Sequence, residues 1–96
     1  MTVVWTETAL EHVAAIKQYI SQTSVVYAER VARRILDRGK RLETFPESGR
    51  MVPEVGRPEI REVFELPYRV IYRVAARRVE ILAVVHARRA DIGPTP

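Results

Sequence analysis

The sequence predicts an α+β domain of order β-α-α-β-β-β, an antiparallel sheet with an αα-hairpin packed on one face. Three observations carry this. Two stretches between residues 9 and 42 repeat apolar residues at helical spacing. The stretch Ile60 to Arg89 holds three Val-, Ile- and Tyr-rich runs separated by two turn signals. With 96 residues the chain forms one domain with one modest core.

The elements follow in order. Thr2 to Trp5 is a short β-run, and Thr6 or Thr8 can cap the helix that follows, with Glu7 in its first turn. Ala9, Val13, Ile16 and Ile20 form one face of that helix, widened by Leu10 and Ala14. Ser24 caps a second helix over Val25 to Leu42, with the apolar stripe Ala28, Val31, Ala32, Ile35, Leu36 and Leu42. Its other faces carry Arg30, Arg33, Arg34, Arg38, Lys40 and Arg41, which read as a solvated face. Thr44 to Glu59 contains three prolines and two glycines, which exclude regular structure; a loop of that length is functional or mobile. Strands are predicted at Ile60–Glu65, Tyr68–Val74 and Arg78–His86, turning at Leu66-Pro67 and Ala75–Arg77. The tail cannot continue as a helix past Gly93 and Pro94.

Composition narrows the function. An apolar fraction of 47% with 29% charged residues is ordinary for a soluble globular domain. No run is long enough to span a bilayer, the N-terminus lacks a signal-peptide layout, and there is no cysteine. A cytoplasmic location is expected. No nucleophile elbow, phosphate loop or metal-ligand cluster is present, so no cofactor and no metal are expected. The net charge is +4, and only Lys17 and Lys40 among the basic residues are lysines. Arginine grips phosphate and carboxylate bidentately, which points to a polyanionic partner.

Side-chain alternation sorts the strands. Tyr68, Val70, Tyr72 and Val74 share one face, and Arg69, Ile71 and Arg73 the other. Pairing Val74 with Val79 sets Arg73 against Glu80, Ile71 against Leu82 and Arg69 against Val84. Val79, Ile81, Ala83 and Val85 would then join the helix-packed core. The far face would show Arg69, Arg73 and His86 around Ile71, Leu82 and Val84. A one-residue slip in Ile60–Glu65 decides whether Arg61 or Glu62 joins them.

Five pieces recur in a recognisable order: Trp5-Thr6 with Ala9, Phe45-Pro46 with Gly49-Arg50, Arg61-Glu62, Tyr68-Arg69-Val70-Ile71-Tyr72, and Val85-His86-Ala87-Arg88-Arg89. Through them the sequence resembles the RelE/ParE superfamily of bacterial type II toxin–antitoxin toxins over nearly its whole length. The resemblance implies one of two activities. RelE-like toxins cut mRNA, most of them on the ribosome; ParE-like toxins poison DNA gyrase and are not nucleases. Arg69 matches an active-site arginine of the RelE-like branch, and Arg88 is nearest to a second one. The chain departs from RelE in having no lysine in the sheet and no tyrosine in its tail. A RelE-like endoribonuclease is the first expectation, a gyrase inhibitor the alternative, and a non-toxic antitoxin-binding module the third. For metal-free RNA cleavage, His86 is the candidate acid or base, with Glu62 as its partner. Arg69 and Arg88 would surround the scissile phosphate, and Arg61, Arg73 and Arg89 would bind the substrate. The expected partner is an acidic, partly disordered antitoxin covering the basic sheet face in a hetero-oligomer. His12 is expected at the surface and Trp5 in the core.

Overall fold

The computed structural model describes residues 1–88 and contains five strands and two helices: β1 (Thr2–Trp5), α1 (Glu7–Ser21), α2 (Val25–Lys40), β2 (Arg50–Met51), β3 (Ile60–Glu65), β4 (Tyr68–Val74) and β5 (Arg78–His86). A 3₁₀ turn, Arg41–Glu43, follows α2 and ends its α-helical run short of Leu42. The strands lie in the order β1-β5-β4-β3-β2. The meander β3-β4-β5 is antiparallel as expected. The sheet as a whole is mixed, because β1 joins β5 in parallel, with Trp5 beside Ile81. That arrangement needs a crossover, and the αα-hairpin provides it. The proline-rich segment also contributes a strand, the two residues of β2 against β3. The tail and Arg89, expected to bind substrate, lie outside the described residues.

Local chemistry sets the helix starts. Thr6 Oγ1 accepts from the amide of Ala9 and donates to the carbonyl of Ile81, so one hydroxyl begins α1 and ties it to β5. Ser24 Oγ accepts from the amide of Tyr27 at the start of α2. The inner face of the sheet packs on α1 and α2 through Ala9, Val13, Val31, Ile35, Val63, Val70, Tyr72, Val79, Ile81 and Val84. Trp5 packs against this core as expected, over Gly39 of α2; a Cβ there would come within 2.5 Å of the indole. Leu10, Ala14 and Leu36 do not join the core. They are exposed because each lies at the margin of its helical stripe.

The predicted β4–β5 register holds for its first half only. Val74 pairs with Val79 and Arg73 with Glu80, but a bulge between Tyr72 and Ile71 lets Leu82 go unpaired, so Ile71 meets Ala83 and Arg69 meets Val85. One extra residue inverts the alternation beyond it. Val84 turns inward, while Ala83 and Val85 turn outward. The same inversion carries His86 to the inner side, paired with Tyr68. Where β1 ends, α1 serves the exposed edge of β5: His12 Nδ1 accepts from the amide of Val84 at 3.1 Å. His12 is therefore half-buried and bonded rather than a surface residue.

Candidate functional site

The outer face of the sheet is not open. The chain after β2 folds back over it, and Val52, fully buried, packs with Ile60, Ile71 and Val85, flanked by Val55, Leu82 and Ala83. The fold-back is a tight turn: Val55 and Gly56 both donate their amides to the carbonyl of Val52, and Gly56 sits at φ 71°, where a side chain is strained. This turn carries Glu54 onto β4.

Beneath it lies a four-membered charge network. Glu62 points to the outer face and is 1% exposed. It accepts from Arg69 Nε at 2.7 Å and from Arg50 Nε at 2.6 Å. Arg69, 3% exposed, turns its two terminal nitrogens to the two carboxylate oxygens of Glu54 at 3.0 and 2.9 Å. Two arginines thus face two carboxylates. Arg50 also lies over the ring of Phe64, 5.3 Å from its centroid. The bidentate contact holds the Glu54 carboxyl below its ordinary value, and the same contact, against the cost of burial, raises Arg69. No buried side-chain nitrogen or oxygen among the described residues lacks a partner.

Gly49 lets β2 approach closely enough to complete this network. Its amide donates to the Tyr72 hydroxyl at 2.9 Å, its carbonyl accepts from Arg61 at 2.8 Å, and a Cβ would fall 2.5 Å from the Glu62 carbonyl. The phenol of Tyr72 is raised, chiefly by burial.

Comparison with known proteins agrees with the fold. Residues 3–91 match the model of the ParE toxin of type II toxin–antitoxin systems, parDE. The chain belongs to this family. Toxin RelE2 of Caulobacter vibrioides is 38% identical over 88 residues, which cover 91% of this chain and 96% of that one. Among solved structures, the chromosomal ParDE system from P. aeruginosa aligns with a TM-score of 0.74 at 22% identity, covering 90% of this chain and 95% of that one. The YoeB dimer from Staphylococcus aureus aligns at 0.62 with 11% identity and the same coverage. At such identities these two show the fold alone. The protein is a type II toxin of the RelE/ParE superfamily, and such a toxin has an antitoxin as its partner.

Within this toxin the predicted site residues separate into four places. Glu62, not Arg61, joins Arg69; Arg61 lies half-buried on the inner side at the β2 edge. Arg73 is on the outer face as expected, but in a triad in which exposed Arg73 and Arg78 flank a half-buried Glu80. Its two bonds to Glu80 hold that carboxyl below its ordinary value. His86 and Arg88 stand at the far end of β5. Placing His86 with Arg69 is corrected by the bulge, which puts them on opposite faces. His86 meets Tyr68 edge-on, with centroids 6.1 Å apart, and its Nδ1 accepts from the amide of Arg88. That bond leaves Nε2 to carry the proton of the neutral ring. Neither Glu54 nor Arg50 is among the site residues that the sequence predicts; Arg50 enters there only, with Gly49, as a carrier of the resemblance. Their signal was weak: a Pro-Glu pair and a Gly-Arg pair within an irregular segment.

Proposed function

We propose that this toxin disables its target by binding rather than by cutting RNA, and that the target is DNA gyrase. The observation that carries the reading is the state of Arg69. A phosphate-gripping arginine needs donors facing solvent, whereas both edges of this guanidinium face carboxylates. A scissile phosphate would have to displace Glu54 and then sit near the buried charge of Glu62. The match to the ParE model supports the same reading. The toxin acts in the cytoplasm, where an acidic antitoxin masks it in a hetero-oligomer.

A second reading, the mRNA endoribonuclease, is favoured by one grouping. Exposed His86, its neighbour Tyr68 and exposed Arg88 stand together at one end of the sheet. The name of the Caulobacter relative points the same way. In that reading His86 is the acid or base, Arg88 and Arg89 hold the phosphate, and Arg69 positions β4.

The two readings separate cleanly. Purified toxin should stop gyrase from supercoiling relaxed plasmid, while cells expressing it should show no new mRNA 5′-ends. New 5′-ends at codons, lost on His86→Ala, would sink the gyrase reading.

A further inference from the structure

The cations of this chain are unequally neutralised. In the strands and loops, Arg50, Arg57, Arg69, Arg73 and Arg78 are ion-paired and Arg61 binds a carbonyl, while exposed Arg77 and Arg88 form no ion pair with the described residues. The sheet, expected to be the basic surface, is largely balanced within itself. Helix α2 with the adjoining Arg41 is different. It carries six cations, Arg30, Arg33, Arg34, Arg38, Lys40 and Arg41, against Glu29 and Asp37. That excess equals the chain's whole formal charge of +4; elsewhere ten cations meet ten carboxylates. Arg30, Arg33, Arg34, Lys40 and Arg41 are exposed, and none forms a side-chain hydrogen bond or ion pair with the described residues.

The helix dipole explains only part of this. Cations in the last turn, Arg38 and Lys40, favour the C-terminus. Arg30, Arg33 and Arg34 lie too far from that end to gain from it. Helical spacing places Arg30, Arg34 and Arg41 in one row, and Arg33 and Lys40 in a neighbouring one. The first row spans about 16 Å along the axis. Duplex DNA presents one phosphate charge per about 1.7 Å of its axis, so such a row lies against several at once. Between Arg30 and Arg41 the rows hold no aromatic residue, and Leu36 is the sole exposed large apolar residue there; the exposed Val25, Val26 and Tyr27 lie in the first turn of α2, at one end of the rows. A single strand is gripped by aromatic residues interleaved along the charged row, which this stretch lacks; a duplex backbone needs none.

We propose that the outer face of α2 docks on the phosphate backbone of duplex DNA without reading its sequence. This does not rest on gyrase as the target. The test is fluorescence anisotropy of purified toxin with a labelled duplex across a salt series. Duplex RNA, single-stranded DNA and polyglutamate serve as parallel probes. With four phosphates engaged, affinity should fall about 100-fold between 50 and 200 mM salt. The Arg30→Gln/Arg34→Gln/Arg41→Gln variant changes exposed residues only, and its denaturation midpoint reports that it is folded. Its log–log salt slope should be shallower by about 2.7. An unchanged slope in the variant, or tighter binding to RNA, single strands or polyglutamate than to duplex DNA, would overturn the proposal. A toxin that binds DNA through α2 yet leaves supercoiling intact would remove the gyrase reading alone.

Discussion

Arg69 and Arg73 leave the same strand on the same face, four residues apart, and both meet glutamates. Their circumstances differ. Arg69 is covered by the fold-back of residues 52–59 and joined by Glu62 at 1% exposure; the Arg73 side chain is 46% exposed, in a triad closed by Glu80 and Arg78. The difference teaches that charge pairing has no fixed worth. In water an ion pair is screened and nearly neutral in its effect. Under a loop, removing one partner strands the other without solvent. The buried network therefore staples the loop to the sheet, while the triad of Arg73 adds little.

The largest test of this contrast is to remove each arginine in turn. Arg69→Ala leaves Glu62 buried with only Arg50 beside it and should cost about 3–5 kcal/mol in urea denaturation. Arg73→Ala should leave the midpoint within experimental scatter. Equal losses would break the comparison. Next in size is Gly49→Ala, whose Cβ collides with the Glu62 carbonyl and the Tyr72 hydroxyl. It should destabilise by about 1–3 kcal/mol as β2 is forced off the sheet.

A smaller effect concerns pH. Glu54 is depressed by its contact with Arg69, and Glu80 by Arg73. A depressed carboxyl contributes stability that is complete above its unfolded value, about 4.3, and lost as pH falls through the folded one. Glu54→Gln and Glu80→Gln should each flatten the acid limb of a stability–pH curve. Raising salt to about 1 M, where screening acts within about 3 Å, should erase the Glu80 contribution and spare more of that from Glu54. Equal salt sensitivity would mean that the loop does not shield its pair. A modest effect is expected for Gly56→Ala in the fold-back itself, where no atom lies within 4 Å of a Cβ and only the left-handed φ of 71° opposes the change. A cost of about 1 kcal/mol is expected.

The three meander strands were legible to the residue and the two helices within two residues at the end of α2, because apolar period, Ser and Thr caps and turn residues are local signals; which of Thr6 and Thr8 caps α1 was left to the fold. The pairing of Arg73 with Glu80 was legible too, since opposite charges mark that register. Tertiary structure alone decided the rest. From Ile81 to Val85 every residue is apolar, so no polar residue marks which side faces out, and the bulge at Leu82 leaves no trace in the pattern. That bulge parts His86 from Arg69. The choice of Glu62 over Arg61 depended on where β3 meets β4, and the burial of Arg69 on a loop whose prolines and glycines forbid helix or strand without saying where it lies. Which cations remain free followed from those long-range placements. The sequence already placed the excess of cations on α2, and only the fold showed that most arginines of the sheet are paired while those of α2 are not.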